Sequence, residues 1–156
     1  MSKIAIFPGS FDPFTIGHES IVLRSIDLFD TIIVGVGVNS GKKALLSVAS
    51  RVEMINEIFK DVPAVSVDSF EGLTVDFCKK AKANYMLRGI RTAADFEYER
   101  AIAQINKRML PDVESVFLLT SPEHTPINST IIRDIIRNRG DASQFLPSGI
   151  DINNYL

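Results

Sequence analysis

The chain holds a single cysteine, Cys78, so no internal disulfide is available, which fits a reducing compartment. Long apolar runs are missing as well. The longest covers residues 32–38, far short of the ~20 apolar residues a membrane-spanning helix needs. There is no excess of basic charge: 17 Lys and Arg stand against 19 Asp and Glu, for a net charge of −2. That balance argues against a domain built to grip nucleic acid by its backbone, while leaving room for a local basic pocket. The start leads directly into an apolar segment without the pattern of a secretory signal, so a cytoplasmic protein is expected. A Walker-type Gly-Lys-[Ser/Thr] loop is absent, as is Gly-x-Gly-x-x-Gly after the first apolar segment. Neither His18 nor His124 has neighbours at metal-ligand spacing, which argues against a structural zinc. No internal repeat, low-complexity segment or linker interrupts the 156 residues, of which 46% are hydrophobic. One domain over residues 1–156 is expected.

What is there alternates regularly. Apolar, β-branched segments at residues 3–7, 31–38, 64–67, 85–87 and 115–119 read as buried strands. Helical patterns lie between them. One follows His18, with Val22, Ile26 and Phe29 on a stripe; one opens at Ser47, with Val52, Ile55 and Phe59 on a face. Others cover residues 72–82, with Leu73, Phe77 and Ala81 at four-residue spacing, and residues 94–109, with Tyr98, Ile102, Ile105 and Met109 expected to face inward. A helix near residues 129–138 and a short one after Pro147 complete the pattern, and Cys78 is expected in the core. Strict strand–helix alternation specifies an α/β protein: a doubly wound, five-stranded parallel sheet with helices on both faces. In such sheets ligands bind beyond the carboxyl ends of the strands. The unusual loops, at residues 8–18, 39–43, 88–91 and 120–130, all follow strands and should meet at that edge.

Those loops carry the chemistry. Pro8-Gly9-Ser10-Phe11-Asp12-Pro13-Phe14 leaves the first strand, and Thr15-Ile16-Gly17-His18 starts the next helix, placing an imidazole where helix N-termini attract anions. Lys42 and Lys43 form either a solvated turn or, with one lysine turned into the cleft, a mobile charge for phosphate. Arg88-Gly89-Ile90-Arg91 suits bidentate phosphate recognition, with a structural pairing to Asp95 or Glu99 as the alternative. Gly89 would let a ligand approach the main chain. Asp95 and Glu99 share a helix face, and Glu99 could hold a basic residue or a ribose hydroxyl. Ile127-Asn128-Ser129-Thr130 enters a second helix N-terminus, with Ser129 or Thr130 as its cap.

Taken together these stretches resemble the bacterial phosphopantetheine adenylyltransferases, nucleotidyltransferases related to class I aminoacyl-tRNA synthetases, over essentially the whole chain. The matching motifs are Gly9-Ser10-Phe11-Asp12-Pro13 with Thr15-x-Gly17-His18, Lys42, Arg88-Gly89-Ile90-Arg91, Asp95-Phe96-Glu97-Tyr98-Glu99 and Glu114-Ser115-Val116-Phe117-Leu118. One departure stands out: the family usually shows Ile-Ser-Ser-[Ser/Thr] where this chain has Ile127-Asn128-Ser129-Thr130. The resemblance implies a Rossmann-like nucleotidyltransferase fold and transfer of AMP from ATP to 4′-phosphopantetheine, yielding dephospho-CoA and pyrophosphate. It implies His18, Lys42 and Arg91 as catalytic residues, and Ser10, Lys42, Thr74 and Arg88 for the acceptor substrate. For ATP it implies Ser10, Phe11, His18, Gly89, Ile90, Arg91, Glu99 and the run His124, Thr125, Pro126, Ile127, Asn128, Ser129, Thr130. Mg²⁺ is expected to arrive with ATP, no nucleic acid or membrane partner is expected, and the family forms hexamers. Rivals are a small nucleotidyltransferase acting on nicotinate mononucleotide or a phospho-alcohol, a class I synthetase fragment, and a non-catalytic nucleotide-binding regulator on the same fold.

Overall fold

The computed structural model describes residues 1–39 and 43–156. Five strands, β1 (Ile4–Gly9), β2 (Thr31–Gly37), β3 (Val65–Phe70), β4 (Tyr85–Ile90) and β5 (Glu114–Leu119), form one parallel sheet in the order β3-β2-β1-β4-β5. Helices α1 (Ile16–Ser25), α2 (Val48–Ile58), α3 (Thr74–Lys80) and α4 (Ala93–Met109) connect successive strands, and α5 (Ser129–Arg137) follows β5. The strand order reverses direction between β1 and β4, the switch point at which doubly wound sheets bind ligands. None of the described helices is long and apolar enough to cross a membrane.

The alternation of side chains along β1 divides the core. Ala5 and Phe7 join a large cluster with Val22 of α1, Met54 and Ile55 of α2 and Ile132 of α5. Ile6 points the other way, into a smaller cluster with Phe77 and Cys78 of α3, Met86 of β4 and Val113. Both faces of the sheet are therefore covered, as a parallel sheet requires. The helices start where short polar side chains take up a free backbone N–H. Thr15, Ser47, Thr92 and Asn128 each accept one, from His18, Ser50, Asp95 and Ile131.

Several sequence-based expectations need correction. Strand β3 runs to Phe70 rather than stopping at Val67, because its polar end stays paired with β2 through Gly37. Strand β4 continues through Arg88 and Gly89 to Ile90, held in register by β5; ladder pairing overrides the loop-like composition. Helix α1 ends at Ser25 and α3 begins at Thr74, so Leu73 stands exposed ahead of it. The short last helix after Pro147 is a single 3-10 turn, Ile152–Asn154, and another such turn, Ser143–Phe145, precedes it.

The largest correction concerns α4. Tyr98 (69% exposed), Ile102, Ile105 (55%) and Met109 (49%) face outward, not inward. The face turned to the sheet is polar instead: Asp95 and Glu99 meet arginines of the β4 end, and buried Asn106 donates to the Met86 sulfur. Ion pairs at the end of β4 set the rotation of this helix, and its apolar stripe is left on the surface.

Candidate active site

The sheet splits where the switch-point rule says it should. β1 pairs with β2 from Ile4–Thr31 to Gly9–Val36, and β4 pairs with β5 along its whole length. Between β1 and β4, however, pairing is limited to Ala5–Tyr85 and Ile6–Met86. Beyond those residues the two strands part and open a cleft of about 550 Å³. Pro8 lies at the parting; it has no N–H to offer a neighbour, and its carbonyl accepts from the Arg88 side chain (Nη1, 2.6 Å).

Three of the four expected loops converge here. From the stretch after β1 come Ser10, Phe11 and His18; from the end of β4 come Arg88, Gly89 and Arg91; Glu99 of α4 and His124, Ile127, Asn128, Ser129 and Thr130 close the far wall. Ile90, Thr125 and Pro126 are near in sequence but do not line the cleft, and Thr74 opens α3 outside it. Ser40, Gly41 and Lys42 lie outside the described residues, so the expected role of Lys42 has no geometry here.

His18 occupies the third position of α1. Its Nδ1 accepts the backbone N–H of Thr15 at 3.0 Å, while the Thr15 hydroxyl accepts the His18 N–H. A main-chain N–H can only donate, so Nδ1 carries a lone pair and the ring proton sits on Nε2. The ring stands edge-on to Phe11 at 5.0 Å and lies 5.2 Å from Phe14. Burial among these rings, followed by the charges of Arg88 and Arg91, pulls its pKa from the usual 6.5 down to about 3. At neutral pH His18 is a neutral N–H donor.

Phe11 holds that wall in place at some cost. Its backbone has a φ of +51°, the left-handed region, which costs a non-glycine residue roughly 1–2 kcal/mol. The conformation brings its ring over Gly9, where a Cβ would lie 2.8 Å from Phe11 Cζ. Gly9 is therefore required for close approach.

Both arginines have carboxylate partners. Arg88 forms a fork with Glu99, Nε to Oε2 at 2.9 Å and Nη2 to Oε1 at 2.6 Å. Arg91 meets Asp95 at 3.3 Å. The structural pairing is formed: it and the Pro8 contact engage three of the five Arg88 N–H donors, leaving two. Gly89 serves packing, since a Cβ there would lie 3.1 Å from Ile21 of α1. Asn128, not Ser129 or Thr130, caps α5, accepting from Ile131 N–H at 2.9 Å, and the Ser129 hydroxyl donates to the Pro13 carbonyl. Asn and Ser are nearly equivalent caps, so the departure from the family pattern keeps its local function.

Sequence reasoning assigned no site role to Arg133 or Thr120 and placed Tyr98 on an inward apolar face; all three also line the cleft. Arg133 donates to the Asp12 carbonyl (2.9 Å) and to the Thr130 hydroxyl. Its position one turn beyond the cap of α5 was the available signal. Among the described residues, no group of three or more His, Cys, Asp or Glu side chains is placed to hold a metal ion.

Comparison with known proteins adds the family. Residues 6–135 match the cytidylyltransferase-like family model. A phosphopantetheine adenylyltransferase of Flavobacterium psychrophilum is 53% identical, with 95% of this chain and 97% of that protein covered. One from Bacteroides thetaiotaomicron is 47% identical, covering 96% and 98%. Among solved structures, a bifunctional NMN adenylyltransferase/ADP ribose pyrophosphatase from Francisella tularensis superposes with a TM-score of 0.74 at 17% identity. The match covers 97% of this chain and 47% of that one. A putative nicotinate-nucleotide adenylyltransferase from Vibrio parahaemolyticus gives 0.68 at 19% identity, covering 94% and 88%. At such identities the two structures speak for the fold alone. The split sheet, the neutral histidine at its mouth and relatives matched end to end agree: the chain belongs to the phosphopantetheine adenylyltransferase family of cytidylyltransferase-like nucleotidyltransferases.

Proposed function

We propose that this enzyme transfers the adenylyl group of MgATP to 4′-phosphopantetheine, giving dephospho-CoA and pyrophosphate, a step of coenzyme A biosynthesis in the cytoplasm. The observation that carries the reading is the neutral His18, lining the same cleft as Arg88 and Arg91 where β1 and β4 part. A phosphate oxygen of the acceptor attacks the α-phosphorus of ATP, that P–O bond forms, the bond to pyrophosphate breaks, and pyrophosphate leaves. The nucleophile is already ionised at neutral pH, so no side-chain base is needed. The site must bring two polyanions into line and stabilise the charge that builds on the α-phosphate. His18 is assigned that donor role, with Arg91 beside it.

The two unused donors of Arg88, together with Ser10 and Lys42, are assigned the acceptor phosphate, and the pantetheine arm is assigned a course towards Thr74. The walls built from Phe11, Gly89, Arg91, Glu99, His124 and residues 127–130 are assigned ATP. The outward apolar stripe of α4 supports assembly into the expected homo-oligomer, a hexamer. Pyrophosphate release tests the reaction. It should follow addition of ATP with phosphopantetheine and not of ATP with nicotinate mononucleotide; release with the second acceptor alone would overturn the assignment.

A further inference from the structure

Arg51, near the start of α2, is a cation only 5% exposed, and among the described residues no carboxylate lies within salt-bridge distance of it. Its guanidinium is spent on main-chain carbonyls. Nη1 donates to the Ser10 carbonyl at 2.7 Å, and Nε donates to the Leu46 carbonyl at 3.2 Å and, more weakly, to that of Ser47. Asp12, also 5% exposed, completes the connection from the other side. Its two carboxylate oxygens accept the N–H groups of Leu45 and Leu46, both at 2.8 Å. The stretch after β1 is thus tied at Ser10 and again at Asp12 to the chain entering α2. The residue between the two ties is Phe11, the one held at a φ of +51°.

A non-glycine residue stays in that region only where its surroundings over-determine it. Here the two ties enclose it on both sides. Burying a guanidinium without a counterion is costly, and an apolar core could have joined α2 to the sheet at lower cost. What a guanidinium adds is geometry: a planar fork that reaches two carbonyls on different segments at once. We infer that Arg51, with Asp12 as its counterpart, is a positioning residue for the adenylyl transfer proposed above. It holds Ser10, where the acceptor phosphate is assigned, in register with the Phe11 ring on which His18 rests. Arg51 does not line the cleft and touches no reacting atom; it acts through the Ser10 carbonyl.

The inference rests on the proposed reaction for its kinetic consequence but not for its structural one, so the test has two arms on the full chain. Arg51→Lys keeps the charge but cannot fork between Ser10 and Leu46. Hydrogen exchange of residues 9–14 should rise in that variant at least ~10-fold above wild type while β2 and β4 stay protected. Turnover per ATP-binding site, counted by titration against wild type, should fall ~10- to 100-fold with KM for ATP changed less than about threefold, as expected for misplacement rather than lost binding. Ile55→Val, a buried neighbour on the same helix, controls for general destabilisation and should move neither readout. If Arg51→Lys exchanges like wild type at residues 9–14, the tie is wrong. If exchange rises but turnover per site is unchanged, or if Ile55→Val shows the same loss, the residue is structural only and the inference falls. Should wild type release no pyrophosphate from ATP and phosphopantetheine, the proposed reaction fails instead, and the exchange arm still decides the tie.

Discussion

A histidine that never charges under working conditions leaves a measurable trace in stability. In the unfolded chain His18 takes up a proton near pH 6.5, whereas in the folded protein burial and the two arginines delay this to about pH 3. Between those values the unfolded state binds more protons, so stability falls as the pH falls. The contribution is fully present above pH 6.5 and is lost progressively towards pH 3. The slope is at most about 1.4 kcal/mol per pH unit, so over roughly two units, from about pH 6.5 to 4.5, His18 should account for about 2–3 kcal/mol.

Urea denaturation of wild type and of His18→Gln across that range isolates the term, because every carboxylate titrates alike in both. The variant should show a flatter acid limb by about that amount. The tautomer is checked separately on the imidazole nitrogens. With two histidines in the chain, a nitrogen-detected titration is readily assigned by the same variant. Nδ1 should appear unprotonated and Nε2 protonated, without change through neutrality. A midpoint for His18 between pH 6 and 7, or acid limbs of equal slope, would refute both the enclosure argued here and the assignment of His18 as a neutral donor. His18→Ala should then lower kcat ~100- to 1,000-fold with little change in KM.

Other changes test other contacts. Glu99→Gln leaves the Arg88 guanidinium half-buried without its counter-charge, and should cost about 2 kcal/mol in urea denaturation and raise KM for the acceptor as the fork loses its orientation. Asn128→Ser exchanges one good cap for another and should leave stability and ATP affinity within a few-fold, whereas Asn128→Ala should cost about 1 kcal/mol; a large gain in affinity for the serine variant would show that a hydroxyl ligand had been missing. Ile105→Glu places a charge on the outward stripe of α4 and should shift sedimentation towards the single chain, with the monomer still folded by circular dichroism.

Much of this could be read from the sequence, and the errors share one cause. Parallel strands between amphipathic helices follow from composition and period alone, and so does the edge at which the unusual loops meet. Periodicity also identifies α4 as a helix with an apolar stripe at Tyr98, Ile102, Ile105 and Met109. It says nothing of what the stripe faces, and here the ion pairs of Glu99 and Asp95 turn it outward. Arg88-Gly89 reads as loop because strand propensity is low; only pairing with Phe117 and Leu118 of β5, nearly thirty residues on, keeps it in the ladder. Asp12 and Arg51 raise no alarm singly, one in a turn and the other on a helix. Their joint action on Leu46 needs the fold to bring them together.

The same contacts explain why the cleft stays open. A parallel sheet closes its ladder wherever donors and acceptors can meet, so a gap between two adjacent strands needs a cause. At the parting, Pro8 has no N–H, and its carbonyl is taken by the Arg88 side chain, which a shorter or uncharged residue could not bring there. Arg88 is fixed in turn by Glu99 from α4. On the other side of the mouth, Arg51 takes the Ser10 carbonyl and Arg133 that of Asp12. Arg88 thus consumes a β1 acceptor that pairing with β4 would otherwise use, while Arg51 and Arg133 take carbonyls of the stretch beyond the strand. Arg88 and Arg133 line the cleft together with His18, whereas Arg51 does not. At Arg88, opening the sheet and making the site attractive to a polyanion are therefore one structural act, performed by the same side chain.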